Sequence, residues 1–158
     1  MSDRRFTLDT NILVYALDRE AGERHALAGE IITRAAFADC WLTLQAVSEF
    51  YAAVMRKRLV AAADAAGQAE DWLSIFPTVG HSADAVRFAL GAAARGRAGY
   101  WDALLVAAAA EAGCTAILTE DLAEGSRVRG VLVVNPFAGG PFAGGKLDPM
   151  AERLLQAE

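Results

Sequence analysis

The chain has 158 residues, enough for one domain with one sizeable core. Its 22% charged and 54% hydrophobic content is a globular composition and excludes wholesale disorder. With 20 acidic and 15 basic residues the net charge is −5, which excludes a basic coat for nucleic acid; contact with RNA or DNA has to use a local basic patch or bound cations.

Residues 5–8 read as a first strand, followed by an apolar segment at 10–17. Residues 23–38 read as a helix and 40–43 as a short strand. Residues 44–59 are strongly amphipathic, with Leu44, Val47, Tyr51, Val54 and Met55 on one face. Two more helices are expected over 61–75 and 82–95, with 96–99 breaking the second. A further helix covers 100–112, and Gly113 is its stop signal. Residues 115–118 and 131–134 are rich in β-formers. Short apolar strands alternating with helices predict an α/β domain with a mostly parallel sheet, whose ligands bind beyond the carboxyl ends of the strands. The segment PFAGG at 136–140 recurs letter for letter at 141–145, too few copies for a repeat architecture. We read a main domain over 1–137 and a glycine-rich tail over 138–158, with a short terminal helix at 149–156.

Cys40 and Cys114 match no zinc spacing and read as buried reduced thiols. His25 and His81 are isolated, which leaves a histidine metal site or a Ser-His-Asp triad without support. The longest apolar run, 103–110, falls far short of the ~20 residues of a membrane-crossing helix. Arg4 and Arg5 precede an apolar stretch, but Asp9 and Asn11 interrupt it, so an export signal is not expected and a cytoplasmic location is.

Most acids sit on solvated faces, and two resist that reading. Asp9 is the only charge between Phe6 and Leu17, immediately after the first strand. Asp102 is the only charge between Gly99 and Ala110, in a helix apolar on every side. A buried carboxylate is costly unless compensated; for Asp102, helix capping and catalysis both provide a compensation. Asp121 follows the apolar run 116–118, with Glu120 beside it as an extra, solvated acid and Thr119 before it. Glu49 falls by periodicity near Gln45 and Arg56, off the apolar stripe, where it reads as solvent-facing. Acids at the strand ends of a parallel sheet share one edge, and their mutual repulsion calls for protons or cations. Hard oxygen ligands select Mg²⁺ or Mn²⁺, which suit phosphodiester hydrolysis.

Four segments in this order resemble the PIN-domain family and, within it, the VapC-type toxins of toxin–antitoxin pairs. They are FTLDTNILVYALD (6–18), LQAVSEFYAAVMRK (44–57), YWDALLVAAAAEAGC (100–114) and AILTEDLAEG (116–125), the last followed by VLVVNPF (131–137). The resemblance covers the chain up to Phe137 and implies a three-layer α/β/α fold with a central, mostly parallel sheet. It implies a Mg²⁺- or Mn²⁺-dependent endoribonuclease in which Asp9, Glu49, Asp102 and Asp121 are catalytic residues and metal ligands. Asn11 and Thr119 match supporting polar positions. An RNA substrate, a cognate antitoxin lying across the active-site groove, and a homodimer follow from the same resemblance; the tail has no counterpart in it.

Arg56, Lys57 and Arg97 are candidate RNA contacts, with Arg58 and Arg95 beside them, and Tyr100 and Trp101 read as core packing rather than base stacking. A haloacid-dehalogenase-type phosphatase would carry a second Asp where this chain has Asn11, and a response-regulator receiver would carry adjacent acids near its first strand. The stronger rival is a PIN-like module without catalysis, working through RNA or protein contacts; the presence of all four acids favours the nuclease.

Overall fold

The computed structural model describes residues 3–137 and 146–157. Most of the duplicated PFAGG segment, 138–145, lies outside the described residues.

The central sheet is built from strands β1 (Phe6–Leu8), β4 (Ala116–Leu118), β5 (Arg127–Val128) and β6 (Val131–Val134), in the order β1-β4-β6-β5. The β1–β4 and β4–β6 pairs are parallel, and β5 returns antiparallel to β6. Strands β2 (Leu42–Thr43) and β3 (Thr78–Val79) form a parallel pair. A parallel bridge between Phe6 and Cys40 links this pair to the β1 edge. Successive strand side chains face opposite sides of a sheet. All three residues of β1 and of β4 are buried, Thr7 included, so both faces are covered and the molecule has helix, sheet and helix layers.

Helices supply the cover. They are α1 (Thr10–Tyr15), α2 (Glu23–Ala35), α3 (Leu44–Lys57), α4 (Ala62–Ile75), α5 (Ala83–Ala94), α6 (Tyr100–Glu111) and α7 (Pro149–Leu154). Polar side chains start four of them: Asp9, Thr43, Ser82 and Asp148 each accept a backbone N–H of the helix that follows. Residues Ala103–Ala109 of α6 are all buried. Ala85, Ala89 and Ala92 of α5 pack against Ala103, Leu104 and Ala107 of α6 in a cluster of mostly small side chains. Gly113, at φ 81, ends α6 in the left-handed conformation that glycine tolerates best.

The structure corrects several boundaries. The strand expected at 40–43 shortens to Leu42–Thr43, and the helix at 23–38 stops at Ala35. Strands β3 and β5 were not expected, because two residues are too few to show a period. The β5–β6 connection turns on Arg129 (φ 50) and Gly130 (φ 81), the paired positive φ values of a tight hairpin. The buried face of α3 is Ala46, Val47, Phe50 and Val54; Leu44 and Tyr51 are exposed instead. Phe50 holds the core position by packing edge-on against Trp72 of α4, with ring centroids 4.7 Å apart. Near the C-terminus, Leu147, Ala151, Leu154 and Leu155 join the main core. Arg34 of α2 clasps Glu152 of α7 at 2.7 Å. Cys40 and Cys114 are buried free thiols.

Candidate active site

The site begins with strand register. Leu8 and Leu118 are partners at the ends of β1 and β4, so the next residues, Asp9 and Thr119, emerge side by side although 110 positions apart. The Asp9 N–H donates to the Leu118 carbonyl at 3.0 Å. Its carboxylate accepts from Thr10 N–H at 2.7 Å, starting α1, and from the Thr119 hydroxyl at 2.7 Å. The Thr119 oxygen also accepts from the Asp121 N–H at 3.1 Å, setting the turn that carries Asp121. Asp9 is only 6% exposed. Burial pushes its carboxyl up to about 7; the Thr119 hydrogen bond opposes this and the neighbouring Asp121 adds to it.

The other three acids surround this pair. Asn11, one residue past Thr10 on α1, donates to Asp121 at 2.6 Å. Glu49 accepts from Gln45, one turn earlier on α3, at 2.7 Å, and from the Thr10 hydroxyl at 3.3 Å. The same Gln45 amide donates to the Trp101 carbonyl at 2.8 Å and ties α3 to the start of α6. Asp102 lies in the first turn of α6. Burial, then Asp121 and Glu49, raise its carboxyl above the usual range. No hydrogen bond to its carboxylate is found among the described residues; of the two helix-start compensations, its first-turn position leaves the dipole but not an amide cap.

Asp9, Glu49, Asp102 and Asp121 line one cavity of about 340 Å³, together with Thr10, Asn11, Arg56 and Trp101. Glu49 reaches it from the flank of α3, because that flank borders a cleft rather than bulk solvent. Trp101 is 63% exposed at this cavity, against the expectation of core packing; Tyr100 meets it edge-on at 5.0 Å. Glu120 is not the solvated neighbour expected from sequence. Its side chain is 16% exposed, paired with Arg24 at 2.9 Å and hydrogen-bonded by the Tyr15 hydroxyl. Lys57 lies in a different hollow beside Asp18 and Glu20, and Arg97 in a separate arginine-lined cavity. Sequence reasoning missed Thr10 and Gln45; the only available signal was their position beside Asp9 and one turn before Glu49.

The acid cavity holds hard oxygen donors without a thiolate or imidazole, the donor chemistry of Mg²⁺ or Mn²⁺. Its carboxylates also crowd one another, a strain that a cation relieves. The residues therefore fit such an ion in kind. They do not form a preformed cage: among the described residues no three His, Cys, Asp or Glu side chains are grouped to hold one ion. Three of the acids are instead engaged by Thr119, Asn11 and Gln45.

The PIN domain family model matches residues 6–125. The chain belongs to the PIN domain family. No curated protein matches this PIN domain. Among solved structures it is similar to Mycobacterium tuberculosis VapC20, described as a sarcin-ricin loop cleaving toxin. That likeness has a TM-score of 0.56 and 18% identity, over 71% of this chain and 86% of the other. It is also similar to VapBC2 from Rickettsia felis bound to a DNA fragment from its promoter. Here the TM-score is 0.58 and the identity 16%, over 83% of this chain and 98% of the other. At such identities these likenesses establish the fold of this PIN domain. No helix among its described residues is long and apolar enough to cross a membrane.

Proposed function

We propose that this PIN domain, with its nuclease unit over 1–137 and a glycine-rich tail over 138–158, is a Mg²⁺- or Mn²⁺-dependent endoribonuclease. We further propose that it is the toxin of a toxin–antitoxin pair, working in the cytoplasm as a homodimer held in check by a cognate antitoxin. The observation that carries the catalytic reading is the meeting of Asp9, Glu49, Asp102 and Asp121 in one cavity. The likeness to VapC20, a toxin that cleaves the sarcin-ricin loop, supports RNA as the substrate class. The likeness to VapBC2 supports an antitoxin partner.

Asp9, Asp102 and Asp121 would hold the metal, and Glu49 would complete the set. The chemistry such an ion would supply is neutralisation of phosphate charge and a lowered pKa for bound water. The remaining work belongs to the chain. Thr119 and the Thr10 N–H hold both Asp9 oxygens in place, and Asn11 orients Asp121. Glu49, fixed by Gln45 and Thr10, would accept the proton of the attacking water. Arg56 lines the same cavity, where its guanidinium meets the phosphate backbone.

The test is cleavage of total RNA by the purified chain. Activity is expected with Mg²⁺ or Mn²⁺, none in EDTA, and a loss of more than about 100-fold in Asp102→Asn, beyond the cost of disturbing a supporting residue. Undiminished cleavage in EDTA refutes the metal mechanism. Metal-bound RNA without cleavage supports the non-catalytic alternative.

A further inference from the structure

A second cavity, of about 450 Å³, is lined by Arg87, Arg95, Arg97, Arg127 and Arg129. Among the described residues no carboxylate lines it, in a chain whose net charge is −5. The fold gathers these five cations from two segments, 87–97 and 127–129, about 30 residues apart. Arg87 and Arg95 come from α5 and its end, Arg97 from the connection to α6, and Arg127 and Arg129 from the β5–β6 hairpin. All five are exposed. Among the described residues, only Arg87 of the five has an acidic partner, Asp84, in an exposed pair. Arg129 is held at a positive φ of 50 and stacks on the half-buried ring of Phe88, 4.7 Å from its centroid. Arg127 bonds weakly to the Gly130 carbonyl at 3.4 Å.

Bringing like charges together costs free energy, and nothing in the core requires these five to meet. An anion offsets that cost, and guanidinium forks match phosphate oxygens in pairs. The cavity adjoins the acid site through one turn of helix: Trp101 and Asp102 line the acid cavity and Ala103 lines the arginine cavity. The charge sequence along this surface is therefore carboxylates, then α6, then guanidinium groups, with Trp101 as an exposed aromatic surface between them. A cationic track beside an exposed aromatic face is the pattern that holds single-stranded nucleic acid.

We propose that the arginine cavity binds backbone phosphates of a single-stranded RNA segment flanking the bond cleaved at the acid site. The proposal rests on the nuclease reading for its substrate and deepens it by naming where the strand is held. It solves the electrostatic problem of an acidic chain: the acid cavity repels RNA in the absence of a cation, and the arginine cavity attracts it.

The experiment measures binding of a fluorescent single-stranded RNA 12-mer with a non-cleavable backbone to the full chain in EDTA, across a series of salt concentrations. The variants are Arg97→Gln/Arg127→Gln and, independently, Arg95→Gln, with melting temperature as the folding check. Each lost phosphate contact on a single strand lowers the slope of log K against log salt by about 0.7. The double variant is expected to lose about 1.4 in slope and about tenfold in affinity, and Arg95→Gln about half as much in slope. Lysine at these positions is expected to keep the slope and lose part of the affinity, because it keeps the charge without the fork. An unchanged slope in folded variants overturns the proposal. So does an acidic peptide (a poly-glutamate probe) that binds the wild type and not the variants while RNA binding is unaffected. Because the readout is binding without metal, it is independent of cleavage: loss of RNA affinity in the variants with no cleavage under any metal supports this site and refutes the nuclease reading instead.

Discussion

Asp9 shows what a single residue gives up for a site. It is buried, it caps α1, and its carboxyl is pushed up to about 7 from an ordinary value near 3.8. A group with a raised folded pKa binds protons more tightly in the native state, so the metal-free protein loses stability as pH rises between these two values. The penalty is absent below pH 4 and complete above pH 7. Asp9→Asn removes it. In EDTA at pH 8 this variant is expected to melt higher than the wild type by at least 2–4 °C, corresponding to about 1 kcal/mol or more. The gain is expected to disappear near pH 4, while RNA cleavage is abolished. Equal melting temperatures at pH 8, by calorimetry, would show that Asp9 is not strained.

At the scale of elements, the clearest case is the clasp between α2 and α7. The Arg34 guanidinium holds the Glu152 carboxyl below its usual value. The stability this confers is present above the unfolded value near 4.5 and is lost as pH falls through the lower folded value. Both side chains are partly exposed, so Arg34→Ala is expected to cost less than about 1 kcal/mol at pH 7. Its urea-unfolding curve is expected to converge with that of the wild type as pH falls through that lowered folded value. A difference that persists in acid would assign the effect to packing of the Arg34 stem. The same scale explains Glu49. The period of α3 correctly put Glu49 off the buried stripe, yet a helix flank is solvent-facing only if no other element stands beside it. Here Gln45 reaches the Trp101 carbonyl and draws the start of α6 over that flank.

For the whole molecule, the net charge of −5 conceals a strongly uneven distribution. Four acids meet in one cavity and five arginines in the next. On the proposed function, Mg²⁺ is expected to bind the folded chain at a cavity that the unfolded chain does not have. At 100 times its dissociation constant it is expected to add about 2.7 kcal/mol to stability, at ionic strength matched with NaCl. Asp102→Asn is expected to blunt this gain. A melting temperature indifferent to Mg²⁺ in the wild type would exclude a divalent ion at the acid cavity.

The sequence by itself determined the alternation of strands and helices, the all-round burial of α6, the stop at Gly113 and the oddity of Asp9 and Asp102. Each of these is written in local composition: apolar period, helix breakers, or one charge in an apolar run. Only the tertiary structure decided that Thr119 is the hydroxyl beside Asp9, that Trp101 is exposed, and that Glu120 pairs with Arg24 away from the acid cavity. It also decided that five scattered arginines share one cavity. These follow from parallel strand register and from which helix flank meets which neighbour, and both are relations between segments up to 110 residues apart. A local pattern along the chain records which side chains avoid water, but not which distant partner will cover them.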